Sequence, residues 1–262
     1  MYRFWQIEEK KVILPHGGEE VYTLLRLNHP PLNVLSKDVL WELSGVIEVL
    51  QNKTRVVVLT GEGKAFAAGA DIAEMSNMDE NQAKEFSFLG QLVFEKLEKS
   101  SFISIAAIRG AALGGGLELA LACDIRVVCE DALLGLPEST LGLIPGFGGT
   151  VRLVRLLPYG SSLYLTLTGE RFNGKRAYEL QLAQKLVTQE SLLEECEKLA
   201  TLLLRNGPEA LKAIKELYLK TKAPFFEAHL KEEEYFSQLF AHGQAQEGLR
   251  AFLEKRPARF KP

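Results

Sequence analysis

The segment Gly110-Ala-Ala-Leu-Gly-Gly-Gly-Leu-Glu118 sets three consecutive glycines and then a lone acid between two apolar runs. Ser104-Ile-Ala-Ala-Ile108 before it reads as a buried strand, and Leu117-Glu-Leu-Ala-Leu-Ala122 after it reads as a helix. The glycines therefore occupy a strand-to-helix turn. There, side chains are absent, the first N–H groups of the helix lack internal partners, and the helix dipole favours negative charge. Such a turn commits the chain to alternating strands and helices, and it can hold an anion against bare backbone.

The first half of the chain fits that commitment. Lys11-Val-Ile-Leu14 and Val21-Tyr-Thr-Leu-Leu-Arg-Leu27 flank Pro15-His-Gly-Gly18, a hairpin signal. Ser36 caps a predicted helix whose apolar positions Leu40, Leu43, Ile47 and Leu50 follow helical spacing. Arg55-Val-Val-Val-Leu-Thr60 reads as a buried strand, and a helix over about residues 79–100 places Phe86, Leu89, Val93 and Leu97 on one face. A short strand around Ile125-Arg-Val-Val128 follows the glycine turn and its helix. This is an α/β order rather than a sandwich. From Thr150 onward only helices are predicted: Leu192, Cys196, Leu199 and Leu203 share a face, Asn206-Gly-Pro208 breaks the run, and further helices start near Ala210 and after Pro224. The expected division is a mixed core over residues 1–195 and a helical region over 196–262 that packs on a neighbouring chain as well as on its own core.

Composition excludes several function classes. A chain of 262 residues with 47% hydrophobic and 25% charged residues buries a large core. Its formal net charge of −3 gives no electrostatic case for nucleic acid or an anionic membrane surface. Cys123, Cys129 and Cys196 lack metal-ligand spacing and are odd in number, which suits unpaired thiols in a reducing compartment. His16, His29, His229 and His242 are scattered, so neither a metal site nor a Ser-His pair is suggested. Acids stand where a signal peptide needs an apolar run, and no apolar stretch reaches the ~20 residues of a membrane span. A cytoplasmic protein without metal or cofactor is expected.

Two further turns resemble the first. Phe66-Ala-Ala-Gly-Ala-Asp71 follows the strand that ends near Thr60, and Ile144-Pro-Gly-Phe-Gly-Gly-Thr150 opens another helix. Taken alone, small residues after a buried strand more often serve close packing than a ligand. Two such turns together can aim two N–H groups at one oxygen, which describes an oxyanion hole. Glu118 and Glu138 both lie among leucines beside these turns, where an unpaired carboxylate is expensive and must be ion-paired, hydrogen-bonded or protonated. The alternative is a surface acid at a helix end.

Leu59-Thr-Gly-Glu-Gly-Lys-Ala-Phe-Ala-Ala-Gly-Ala-Asp-Ile72, the segment 110–120 and Leu136-Pro-Glu-Ser-Thr-Leu-Gly-Leu-Ile-Pro-Gly-Phe-Gly-Gly-Thr150 resemble the crotonase (enoyl-CoA hydratase/isomerase) superfamily. The resemblance extends to Leu167-Thr-Gly-Glu170 and to the ending Glu247-Gly-Leu-Arg-Ala-Phe-Leu-Glu-Lys-Arg256. It implies an α/β fold, a crotonase-like spiral of ββα turns with a helical C-terminal trimerisation region, assembled as a homotrimer or a dimer of trimers. By motif position, the N–H groups of Ala68 and Gly115 would hold the thioester carbonyl of an acyl-CoA substrate. Glu118 and Glu138 would match the two glutamates of hydratases, Glu118 as the base toward water and Glu138 as the acid. Gly146 would help place substrate or water. Ala65, Ala67, Ala68, Gly69, Ala70, Asp71 and Ile72 would line the CoA groove, and Lys255, with Phe252, would reach CoA from the C-terminal helix.

Two departures bear on affinity. His29-Pro-Pro-Leu-Asn-Val-Leu35 lacks the lysine that relatives often carry there, and Ala73 stands where many have lysine. Phosphate contacts would then fall to Lys64, Lys255 or Arg26, each of which reads equally well as a solvated charge. The resemblance implies hydration of a 2-enoyl-CoA, with CoA as part of the substrate. An isomerase, a hydratase for a branched or functionalised acyl group, and a non-catalytic acyl-CoA- or RNA-binding relative are the alternatives. Two glutamates favour hydration, and the acidic balance weighs against RNA.

Overall fold

The computed structural model describes residues 2–14, 18–220, 226–241 and 244–256. The expected turn residues 15–17, with His16, and the positions of Pro224 and His242 lie outside the described residues.

Strands β1 (Trp5–Ile13) and β2 (Glu19–Leu27) form an antiparallel pair in which Trp5 faces Leu27 and Ile13 faces Glu19. Helix α1 (Lys37–Leu50) follows, with the Ser36 hydroxyl accepting the Val39 N–H at 3.3 Å as predicted from its capping role. Then one pattern occurs three times. Strand β3 (Val56–Gly61) leads to the short strand β4 (Ala65–Ala67) and to helices α2 (Ile72–Met75) and α3 (Glu80–Glu98). Strand β5 (Ile103–Ile108) leads to β6 (Ala111–Leu113) and α4 (Gly115–Ala122). Strand β7 (Ile125–Cys129) leads to β8 (Leu133–Gly135), a 3-10 turn (Pro137–Leu141) and α5 (Gly149–Leu156).

The first strand of each repeat joins one six-stranded sheet, in the order β1-β2-β3-β5-β7-β10, where β10 is Lys185–Val187. The second strands stack in a four-stranded sheet, β4-β6-β8-β9, where β9 is Phe172–Asn173. The chain thus winds as a spiral of ββα turns. β3, β5 and β7 pair in parallel and are buried on both faces, apart from a partly exposed Ile125 at the start of β7, which explains their unbroken apolar runs.

The remaining helices are α6 (Tyr159–Thr168), α7 (Gly174–Glu179), α8 (Leu192–Leu204), α9 (Pro208–Lys220), α10 (Phe226–Ala241) and α11 (Gln244–Leu253). The expectation of helices alone after Thr150 is corrected by β9, antiparallel to β8, and by β10, parallel to β7. Strands of two and three residues are too short to show a two-residue alternation, so their pairing is decided by the neighbouring strand. The line expected between residues 195 and 196 runs through α8, which buries Leu192, Cys196, Ala200 and Leu204 and packs against β3, β5 and β7. The three cysteines are buried, and burial raises their thiols to about 12, 11 and 12 for Cys123, Cys129 and Cys196. Such thiols are inert. Among the described residues, no helix is long and apolar enough to cross a membrane, and no group of three acids, histidines and cysteines is placed to hold a metal ion.

Candidate active site

Two glycine turns meet because the strands that precede them are neighbours. β4 and β6 pair in parallel, with Ala65 beside Ala111 and Ala67 beside Ala112, so both chains leave the small sheet at the same end. α4 then starts so close to β4 that a Cβ on Gly116 would lie 1.8 Å from the Ala67 carbonyl oxygen. Gly114, the residue before the helix, has φ +51, and Gly69 has φ +114, conformations that glycine adopts at little cost.

The approach brings two backbone donors together. Gly115 is the first residue of α4, so its N–H has no acceptor within the helix. A Cβ on Gly115 would stand 3.3 Å from the backbone nitrogen of Ala70. The segment 69–71 is bridged to Leu35: the Leu35 N–H donates to Gly69 O at 2.8 Å, and the Asp71 N–H donates to Leu35 O at 3.1 Å. That bridge uses the groups on either side of Ala70 and leaves its own N–H without an acceptor among the described residues.

Ala68 was expected as the first donor, and here the structure differs. Its N–H donates to the Leu32 carbonyl at 3.0 Å and is spent. Ala68 lines the cavity, but Ala70 carries the free N–H.

The cavity between the turns has a volume of about 130 Å³ and is bordered by Ala68, Gly69, Ala70, Gly115, Glu118 and Glu138. Apolar side chains complete it: Ile72, Met75, Leu141, Leu143 and Phe236. Gly146 lies against Phe236, where a Cβ would come within 2.7 Å of the ring.

Glu118, in the first turn of α4, is 1% exposed. Its Oε1 accepts the N–H groups of Phe147 at 2.8 Å and Gly149 at 2.7 Å, both from the turn that opens α5. Burial, reinforced by the nearby Glu138 and Glu232, holds its carboxyl well above the usual range, while the two N–H bonds pull the other way. Glu138 projects from the 3-10 turn, with Oε1 3.0 Å from the position of a Cβ on Gly114. Its Oε2 is buried and without a hydrogen-bond partner among the described residues, and burial pushes the carboxyl up to about 8. Two acids in one apolar cavity disfavour each other's charge, so the pair holds a proton to higher pH than either acid would in water. Geometry favours Glu118 as the charged member, because it has two N–H donors and Glu138 has none on Oε2. Such a site can hold a developing oxyanion on two amides while one carboxyl gives a proton and the other takes one.

Other expected groove residues lie elsewhere. Ala65 and Ala67 are wholly buried in β4, with Ala65 O accepting from Asn33 Nδ2 at 2.8 Å, so they support the turn rather than touch a ligand. Asp71 caps α2, its Oδ1 accepting the N–H groups of Ala73 at 3.0 Å and Glu74 at 3.2 Å. Lys255 is exposed and outside the cavity lining, whereas Phe252 borders it. Arg26 is paired with Glu8 at 2.6 Å and Glu62 at 3.7 Å, and Lys64 is exposed. Leu143, Arg171 and Phe236 are lining residues that sequence reading missed; a single apolar or basic residue carries no local signal for a cavity formed by distant segments.

A larger cavity, of about 760 Å³, opens between α4, β7, α8 and α9. Its charged groups are already engaged: Lys215 with Asp124 at 2.8 Å, Arg152 with Glu98 at 3.3 Å, and Arg126 with the carbonyls of Leu182 and Cys123 at 2.6 and 2.7 Å. The neighbouring carboxyls and free amides make the smaller cavity the candidate site.

Comparison with known proteins identifies the family. A model of the family described as enoyl-CoA hydratase/isomerase matches residues 18–262. A probable enoyl-CoA hydratase of Bacillus subtilis is 40% identical over 248 residues, 93% of this chain and 96% of that protein. A crotonyl-CoA hydratase of Syntrophomonas wolfei is 39% identical over 247 residues, 92% of this chain and 95% of that protein. Among solved structures, a carnitinyl-CoA hydratase from Mycobacterium avium superposes with a TM-score of 0.84 at 30% identity, covering 98% of each chain.

Proposed function

The chain belongs to the enoyl-CoA hydratase/isomerase family, and from that premise we propose that it is an enoyl-CoA hydratase adding water across the 2,3-double bond of a short-chain 2-enoyl-CoA. The observation that carries this reading is the meeting of two free amides, Ala70 and Gly115, with two carboxyls of unequal surroundings, Glu118 and Glu138, in one apolar cavity.

The thioester oxygen lies between the N–H groups of Ala70 and Gly115. Water attacks C3, forming the new C–O bond, and the π electrons move onto that oxygen as an enolate. Glu118, the charged acid, takes the proton of the attacking water. Glu138 gives its proton to C2 as the enolate collapses, leaving the 3-hydroxyacyl thioester. The proton on Glu118 then returns to Glu138 by exchange with solvent, and the pair is restored. Two fixed amides are worth ~10²–10³ in rate for each donor, and acid–base catalysis by positioned groups is worth roughly 10²–10⁴. No metal or separate cofactor enters this scheme, since CoA is part of the substrate.

The acyl group is short in this reading because the cavity, bordered by Met75, Leu143 and Phe236, has a volume of only about 130 Å³. We further propose a cytoplasmic homotrimer or dimer of trimers. Ile214, Leu217 and Tyr218 on α9 are exposed at 54%, 62% and 71%, a row of apolar surface that a neighbouring chain would cover.

Loss of enoyl-thioester absorbance on adding crotonyl-CoA and longer 2-enoyl-CoAs tests the activity. Turnover falling with chain length is expected. If no 2-enoyl-CoA is hydrated, the reading fails, and a shift of the double bond without hydration would make the chain an isomerase. Sedimentation at a trimeric or hexameric mass is expected, and a monomer at micromolar concentration would refute the assembly.

A further inference from the structure

A third buried carboxyl lies behind the first two. Glu232, on α10, is 3% exposed and is not among the residues that border the cavity. Its Oε1 accepts the Gly148 N–H at 2.5 Å, and its Oε2 accepts the Thr150 N–H at 3.2 Å and the Thr150 hydroxyl. Glu118 takes the alternate amides of the same stretch, those of Phe147 and Gly149. Four successive N–H groups at the start of α5 are therefore divided, two and two, between carboxylates on different elements.

The other face of the stretch is fixed as well. The Gly146 carbonyl accepts the Ser87 hydroxyl at 2.6 Å and Gln91 Nε2 at 3.2 Å, and the same Nε2 lies 3.3 Å from Glu232 Oε1. One trans peptide thus links α3 to the active site: its carbonyl is held by Ser87 and Gln91, and its N–H, that of Phe147, points the opposite way to Glu118. Arg152 Nη1 donates to the next carbonyl, Phe147 O, at 2.7 Å. The stretch cannot roll toward Glu118 without breaking its bonds to Glu232.

We propose that Glu232 is a positioning residue for the hydration reaction, one that sets the aim of the Glu118 carboxylate through the turn both acids hold and never touches substrate. Without it, the amides of Gly148 and Thr150 lose their acceptors, and Glu118, which already holds the alternate amides of the same turn, is a carboxylate that can take one over. Rotation of the turn to use it displaces the oxygen that must receive the water proton. A glycine-rich turn has few side chains to resist such rotation, so an outside anchor is needed.

This inference rests on the hydratase reading, and the experiment separates the two. Steady-state kinetics with crotonyl-CoA are measured for the full-length wild type, E232A, E232Q, E118Q and the double variant E118Q/E232A. E232A is expected to lower kcat about 10- to 100-fold, the cost of a misplacement near 1 Å, with KM changed less than about threefold. E232Q, which keeps one acceptor oxygen and the side-chain volume, is expected to recover part of that loss and serves if E232A does not fold. In the E118Q background the second change should cost less than about threefold, because a residue that acts through Glu118 has nothing left to position. Losses that multiply in full, or wild-type kcat in both E232A and E232Q, would overturn the proposal and leave Glu232 as an anchor of α10 alone. Infrared difference spectra read the same coupling without turnover: the carboxyl band that disappears in E118Q should move in the Glu232 variants, and an unmoved band overturns the proposal even if the wild type hydrates nothing.

Discussion

The ring of Phe147 lies against the backbone of Gly115, so closely that a Cβ at residue 115 would stand 3.0 Å from Cε2 and 3.1 Å from Cδ2. The same ring meets Phe86 edge-on at 5.1 Å and Phe94 at 5.6 Å, and it fills the space over Gly90, where a Cβ would lie 2.1 Å from its Cδ1. One aromatic side chain thus ties α3 to a proposed oxyanion donor.

Gly115→Ala should therefore push against Phe147 and against the Ala70 amide, lowering kcat more than stability. Gly116→Ala should do the reverse, because its Cβ would lie 1.8 Å from the Ala67 carbonyl oxygen, a backbone atom that cannot move aside. Its destabilisation should reach about 3 kcal/mol, the upper part of the usual overpacking range. Thermal unfolding and turnover of the two variants, measured side by side, check the contrast; equal effects on stability would contradict it.

The Ala70 and Ala68 amides differ in what they hold. Replacing the residue 70 amide by an ester, which removes the N–H and little else, should cost about 10²–10³ in kcat. The same replacement at residue 68 removes only the bond to Leu32 O and should lower stability by about 1 kcal/mol with kcat nearly kept. Equal rate losses at the two positions would return Ala68 to the oxyanion hole.

Glu118→Gln and Glu138→Gln should each lower kcat by about 10²–10⁴. Binding of a saturated acyl-CoA, followed by calorimetry, should change little in either variant. Full activity in one of them would remove that residue from the mechanism.

The pH dependence follows from Glu138. Its carboxyl is raised by burial from 4.5 to about 8, so the acid form present at neutrality is lost as pH rises through about 8, and kcat should fall on that limb. On the acid side, kcat should fall as Glu118 gains a proton. Stability shows the same group with a definite sign. Between 4.5 and about 8 the folded state keeps a proton that the unfolded chain releases, so this contribution is fully present below 4.5 and is lost as pH rises through about 8. Glu138→Gln removes the dependence, and the variant should gain on the wild type between pH 5 and pH 9. Denaturant melts across that range test it, and a constant difference would contradict the raised carboxyl.

Much of the architecture was legible in the sequence because its signals are local. Ser36 and Asp79 mark the starts of α1 and α3, the apolar runs mark β3, β5 and β7, and the capping box of Asp79 with Gln82 needs no distant partner. The strands β4, β6, β8, β9 and β10, two or three residues each, were not legible, since their pairing depends on which strand lies alongside.

The sequence alone determined where the backbone is bare and where acids stand beside it: Gly114 to Gly116 with Glu118, the turn around Gly69, and Glu138 before the turn at Gly146 to Gly149. Tertiary structure alone decided which of those groups are free to act. The Ala68 amide is consumed by Leu32, 36 residues earlier in the chain, while the Ala70 amide is left unused, and the turn that holds Glu118 is itself held by Glu232, more than 80 residues later. The physical reason is that a hydrogen-bonding group is spent or spare according to what folds against it. Motif spacing fixes which atoms approach the site, and only long-range packing assigns their partners.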